Sequence, residues 1–270
     1  MRRGDRGRGS APGSGGGSHG GPTMEWKVIP LKIDVMGVLF DNVTMDEALA
    51  QAVALLPEKR GAIVVTPNSE IVYEAMADAG LRDLLNGADL VLPDGAGVVL
   101  GSKILKTPLK EKVAGVDFAD RMLQHLAETG GSVYLLGGKP GIAELAAQKM
   151  VEKHPGLTIC GMADGYFRDE APVVAAIRAA QPDVLFVCLG APKQEKFMAC
   201  HQRELPVGLM AGLGGSLDAF AGTVKRAPRW MIRLNLEWFY RLIKEPWRFK
   251  RMLRLPKFLF AVMRRRMRGA

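Results

Sequence analysis

The chain has 270 residues, 48% hydrophobic and 24% charged, enough to bury a core and too apolar for wholesale disorder, collagen or coiled coil. A net charge of +9 invites nucleic acid or an anionic membrane as partner. The charge is uneven: residues 1–23 hold four Arg and one Asp, residues 225–270 hold fifteen Lys and Arg against Glu237 and Glu245, and residues 24–224 hold 18 basic and 25 acidic groups. An acidic body carries a basic appendage.

In chain order, residues 1–23 are Gly, Ser and Arg without an apolar stretch, so they read as a disordered leader, neither signal peptide nor membrane span. Lys32 to Asn42 reads as short strands around Gly37, and Thr44 with Glu47 forms a capping box opening a helix over Met45 to Leu56. Apolar runs then follow at Ala62–Val65, Asp89–Leu92, Ser132–Leu136, Leu157–Cys160, Val184–Leu189 and Val207–Ala211. Between them lie helical patterns over Ser69–Leu85, Val116–Glu128, Ile142–His154, Ala171–Ala180 and Lys193–Gln202. Alternation of this kind predicts an α/β fold, a mostly parallel Rossmann-like sheet with helices on both faces. The domains expected are a leader at 1–23, an α/β body at 24–224 and a basic helical C-terminal appendage at 225–270.

In such sheets ligands bind beyond the carboxyl ends of the strands. Gly137-Gly138-Lys139 joins a strand to a helix, where glycine lets backbone amides reach an anion, although a plain tight turn reads equally well. Gly212 to Ser216, with Gly214 and Gly215, is a second glycine-rich end, and two such cradles suggest a nucleotide diphosphate. Neither has the full dinucleotide or P-loop spacing. Asp94 ends an apolar run before Gly95-Ala96-Gly97, the place for a general base, or for a helix N-cap. Thr66 and Asn68 carry the same choice between cap and ligand contact. Gln194, after Pro192, would bind a sugar hydroxyl or sit in a first helical turn.

His19, His125, His154 and His201 are scattered, and no Asp-x-Asp pair adjoins Asp94, so no metal site and no cofactor are expected. Cys160, Cys188 and Cys200 lack ligand spacing and read as buried free thiols of a reducing compartment. No serine elbow and no cysteine with a partner histidine is present. Acid–base chemistry on an activated substrate remains.

From Lys225 onward basic residues alternate with Trp230, Trp238, Phe239, Tyr240, Trp247, Phe249, Phe258 and Phe260. Such a stretch suits a helix lying in a membrane interface, broken into short helices by Pro246 and Pro256. No run is long enough to span a bilayer. The competing readings are a nucleic-acid contact, which the continuous apolar run Phe258 to Met263 argues against, and a helix that packs on the acidic body.

The strings Thr66-Pro67-Asn68-Ser69-Glu70, Pro93-Asp94-Gly95, Ala114-Gly115-Val116-Asp117, Leu135-Leu136-Gly137-Gly138, Gly190-Ala191-Pro192-Lys193-Gln194-Glu195, Lys225-Arg226-Ala227-Pro228 and Glu245-Pro246-Trp247-Arg248 resemble, in order and spacing, the WecG/TagA/CpsF glycosyltransferases over about Ile33 to Leu255. The resemblance implies an inverting, metal-independent hexosyltransferase of cell-surface polymer (teichoic acid or polysaccharide) biosynthesis. It would move an N-acetylmannosamine-type sugar from a UDP-sugar donor to undecaprenyl-diphosphate-linked N-acetylglucosamine, at the inner face of the cell membrane. Its proposed base falls on Asp94, with Thr66, Asn68 and Gln194 implicated around sugar and acceptor, and with appendage arginines, of which Arg233, Arg241 and Arg248 are the candidates. Where the family often has Arg, Lys112 precedes Val113-Ala114-Gly115-Val116-Asp117, keeping the charge and losing the bidentate fork. UDP-N-acetylmannosaminuronic acid and UDP-glucose remain alternative donors, a nicotinamide-dependent oxidoreductase and a nucleic-acid-binding module are rival classes, and homo-oligomerisation stays open.

Overall fold

A computed structural model describes residues 31–224, 227–228, 230–231, 239–240, 243 and 253–269. The leader and the candidates Arg233, Arg241 and Arg248 lie outside the described residues.

Strands β1 (Lys32–Val35) and β2 (Val38–Asp41) form an antiparallel hairpin. Met36 and Gly37 turn it with positive φ at both positions, the backbone that matches strand twist. Helix α1 (Met45–Leu55) opens on the expected capping box, Thr44 accepting from Glu47 N and Glu47 accepting from Thr44 N. The rest follows as β3 (Ala62–Val65), α2 (Ser69–Ala75), α3 (Ala79–Asn86), β4 (Leu90–Val91), α4 (Ala96–Ile104), α5 (Gly115–Thr129), β5 (Ser132–Gly137), α6 (Ile142–Lys153), β6 (Thr158–Ala163), α7 (Ala171–Ala180), β7 (Val184–Cys188), α8 (Lys193–His201), β8 (Leu209–Gly212), α9 (Ser216–Phe220) and α10 (Arg254–Met267).

Strands β3 to β8 make one six-stranded sheet in the order β4-β3-β8-β7-β5-β6, parallel throughout. Alternate strand residues feed two cores. Ile63, Val65, Leu185 and Val187 face a layer made by the hairpin, α2, α3, α7, α8 and α10. Ala62, Val64, Val184 and Phe186 face α1, α5, α6 and α9. Burial on both faces is what the continuous apolar runs require.

The amino-terminal side of the sheet is held by carboxylates. Asp89 accepts from Ile63 N, and Asp183 from Ser132 N, each at 2.8 Å. Arg60 and Lys59 pair with their other oxygens. Asp41 accepts from Val91 N at 2.8 Å and pairs with Lys32, so the hairpin covers the outer edge of β4.

Four expectations need correction. The pattern over Ser69–Leu85 is two helices, because Asp78 accepts from Leu81 N and caps a second start. Asp89 precedes its strand as a brace. Helix α4 was not foreseen, since Ala96-Gly97 with Gly101 reads as a breaker pattern until a partner for the glycines is known. Cys200 is exposed, whereas Cys188 is buried and Cys160 partly so, because position 200 shares the outer face of α8 with Lys196.

The described end of the appendage packs on the body, one of the readings open in the sequence. Helix α10 packs on α2 and α4, with Phe258 and Val262 fully buried. Burying Phe258 contributes about 1.5–3 kcal/mol. Its fit depends on glycine in α4: a Cβ at Gly101 would meet the Phe258 ring at 2.9 Å, and one at Gly97 would meet Leu255 at 2.7 Å. Arg254 with Glu74 and Arg265 with Asp34 close the two ends of the contact. Pro256 sits in the first turn of this helix, where its missing N–H has no intrahelical partner to lose. Phe260, Met263 and Met267 remain exposed.

Candidate active site

All six parallel strands deliver their carboxyl ends to one edge. Strand β3 leads into α2 on one face of the sheet, whereas its neighbour β8 leads into α9 on the other. A crevice opens where adjacent connections diverge in this way, the usual ligand position in open α/β sheets. The residues singled out in the sequence converge on it.

Thr66, buried at the end of β3, donates its hydroxyl to Gly212 O at 2.9 Å, joining the ends of β3 and β8 beyond their ladder. Gly115 lets the start of α5 close on that hydroxyl, since a Cβ there would lie 2.9 Å from Thr66 Oγ1. The positive end of α5 thus faces the crevice. Asn68 proves to be the cap of α2: its Oδ1 accepts from Glu70 N and Ile71 N at 2.9 and 3.1 Å.

Asp94 is half-buried and leaves the sheet immediately after Leu92 N bonds Val65 O. Gly95, with φ of +83°, is the N-cap residue of α4, so Asp94 lies one residue before the cap. A Cβ at Gly95 would come within 3.7 Å of Asn68 Cβ, which places the two turns side by side. Lys112 belongs to the same corner. Its neighbour Val113 donates to Pro93 O at 3.0 Å, Glu111 accepts from Met45 N, and Lys110 pairs with Glu47. The segment carrying Lys112 is therefore fixed beside the turn carrying Asp94.

Gln194 is buried between α8 and β8. Its Oε1 accepts from Gly214 N at 2.9 Å and its Nε2 donates to Glu195 Oε1 at 2.9 Å. Both ends of this amide thus serve the protein itself. Ser216 N bonds Leu213 O as well, so the glycine turn after β8 is held internally at Gly214 and Ser216. Gly137 and Gly138 fit the tight-turn reading. A Cβ at Gly137 would stand 2.2 Å from Cys188 O, and Gly138 O takes Gly165 N at 2.9 Å. Burial pushes the Cys188 thiol up to about 12, far from a thiolate nucleophile.

Glu195 was missed in the sequence. It is 3% exposed, its Oε2 has no hydrogen-bond partner, and burial pushes its carboxyl above the ordinary range against the Gln194 amide. A first-turn glutamate normally reads as solvated and suited to the helix N-terminus. The available signal is helical spacing, which puts Glu195 three residues before Met198 on one face of α8. Among the described residues, no three His, Cys, Asp or Glu side chains gather as metal ligands, and no helix is long and apolar enough to cross a membrane.

The family model described as "Glycosyl transferase WecG/TagA/CpsF family" matches residues 33–270. An N-acetylglucosaminyldiphosphoundecaprenol N-acetyl-beta-D-mannosaminyltransferase of Bacillus subtilis (strain 168) is 42% identical over 77% of this chain and 82% of its own length. Proteins of the same name from Bacillus spizizenii and Staphylococcus aureus (strain MW2) are 40% and 32% identical, covering 77% and 89% of this chain and 81% and 95% of their own lengths. The chain belongs to the WecG/TagA/CpsF family of glycosyltransferases.

Proposed function

We propose that this family member transfers N-acetylmannosamine from its UDP derivative to undecaprenyl-diphosphate-linked N-acetylglucosamine. The observation that carries the reading is the 42% identity to a relative of that name over most of both chains, together with a half-buried carboxylate at a β-strand end beside the β3/β8 crevice.

In this reading Asp94 takes the proton of the acceptor sugar hydroxyl as that oxygen attacks the anomeric carbon. UDP leaves from the opposite side, so the configuration inverts. A single carboxylate suffices because the leaving group is already activated and needs no second acid. The α5 N-terminus and Lys112 would stabilise negative charge developing on the diphosphate. No resident metal or cofactor is required.

The membrane is the place to meet such an acceptor. Lys257 and Arg264 stand exposed on α10 beside exposed Phe260 and Met263, a face suited to anionic headgroups. The protein would sit peripherally on the inner surface of the cell membrane.

The test is incubation with purified undecaprenyl-diphosphate-N-acetylglucosamine and a panel of UDP-sugars, with the product read by mass. Gain of one N-acetylhexosamine from UDP-N-acetylmannosamine supports the reading. Transfer only of a uronic acid or of glucose overturns the donor, and no transfer from any UDP-sugar overturns the acceptor chemistry.

A further inference from the structure

Two hydrogen-bonded lines meet at the turn Gly212–Gly215. From β3, Thr66 Oγ1 donates to Gly212 O at 2.9 Å. From α8, Glu195 Oε1 accepts from Gln194 Nε2, and Gln194 Oε1 accepts from Gly214 N, each at 2.9 Å. The Gln194 amide also lies against Gly212, where a Cβ would stand 3.1 Å from Nε2.

We propose that Glu195 is a positioning residue, whose buried carboxylate sets the orientation of the Gln194 amide and, through it, holds the Gly212–Gly215 turn at the mouth of the crevice. A glutamine amide has two nearly isosteric orientations, which its neighbours choose between. Here one orientation satisfies both ends. The reverse would set NH2 against the Gly214 N–H and a carbonyl against the Glu195 carboxylate. Removing the carboxylate removes half of that choice.

A purely structural account of Glu195 is weaker. No cation pairs with it among the described contacts, and Glu74, the charged group that acts on it, is itself paired with Arg254. Its Oε2 stays without a partner at 3% exposure, a burden that an apolar residue of the same size would not carry. What an apolar residue would lack is the acceptor for Gln194. The inference rests on the crevice being the active site, not on which sugar is transferred.

The experiment compares Glu195→Gln, which keeps an acceptor oxygen, with Glu195→Met, which keeps the volume and loses it. The primary readout is amide hydrogen exchange at Gly214, with Leu213 N, bonded to Val187 O at 3.0 Å, as the internal reference. Expected is faster exchange by about tenfold at Gly214 in Glu195→Met, with Leu213 unchanged and Glu195→Gln near native. UDP affinity should fall in Glu195→Met and be kept in Glu195→Gln. In a Gln194→Ala background, Glu195→Met should add nothing further. Unchanged Gly214 exchange in Glu195→Met, equal damage from both variants, or effects that multiply in the double variant overturn the proposal. Should Glu195→Met fail to fold, Glu195→Leu makes the same comparison. If native protein does not bind UDP, the donor reading fails, while the exchange result still decides the role of Glu195.

Discussion

The ring of Phe258 occupies the space that a side chain on Gly101 would take, a Cβ there coming within 2.9 Å of it. Gly101 belongs to α4, the helix that starts two residues after Asp94. Docking of the C-terminal helix is thus registered on the element that directly follows the candidate base. Gly101→Val should push α10 off, seen as lost hydrogen-exchange protection over 254–267, and should lower turnover. Phe258→Ala, which leaves α4 intact, should destabilise by about 3–5 kcal/mol in denaturant unfolding. Native protection of α10 in Gly101→Val would show that the notch does not govern docking.

Asp94→Asn keeps shape and removes basicity. Turnover should fall by roughly 10² to 10⁴ while UDP affinity, measured by calorimetry, stays within a few-fold of native. A variant with near-native turnover would take the role of base away from Asp94.

Thr66→Val deletes the hydroxyl that joins β3 to β8 and leaves Gly212 O, buried at the crevice, without its donor. Stability should drop by about 1–3 kcal/mol. Because the crevice widens where that bond was, KM for the donor should rise more than kcat falls; an unaltered KM would make Thr66 a stability residue alone.

Acid should loosen the appendage. Burial raises the Asp34 carboxyl, but the Arg265 guanidinium and the Gly37 N–H outweigh it and hold the group below its ordinary value. A depressed folded value means stability present above the unfolded pKa of about 3.9 and lost as pH falls through the folded one. The pair is partly exposed, so its worth is at most about 1 kcal/mol. Exchange protection of α10 should therefore decline below about pH 4, and Arg265→Met should remove that dependence. A decline of equal size in Arg265→Met would assign it to other carboxylates.

Lys257 and Arg264 are exposed, so replacing both with Ala should leave the unfolding temperature nearly unchanged. At about 1 kcal/mol per cation, binding to anionic liposomes should weaken by about thirtyfold. Sedimentation equal to native would place the lipid-facing cations elsewhere.

The two-sided parallel sheet was legible because its strands are short continuous apolar runs spaced by helical periods, and the crevice residues were legible because strand ends in such sheets are predictable. Roles were harder to read. Asn68 reads in the sequence as helix cap or ligand contact and Gln194 as sugar contact or first-turn residue, and their carbonyl oxygens hold backbone amides at 70, 71 and 214. Only three-dimensional proximity distinguishes those uses. Helix α4 hides for the same reason: Gly97 and Gly101 lower its intrinsic propensity, and what offsets that is a helix more than 150 residues away in sequence. The spacing of Phe258 and Val262 announces an apolar face but does not say whether lipid or protein covers it. Here protein covers those two, and Phe260 and Met263 are left outside.

Asp89 and Asp183 hold the beginnings of β3 and β5, and Asp41 holds the flank of β4, by carboxylate bonds to strand amides. At the finishing ends, Thr66, the Gln194 amide and the Ser216 hydroxyl make neutral bonds to backbone. The two rims therefore differ in the charge of the groups that hold them. Salt should screen the partly exposed Lys59–Asp183 and Arg60–Asp89 pairs on one rim and leave the neutral bonds of Thr66 and Gln194 at the crevice as they are, so ionic strength acts mainly on the side of the sheet away from the site.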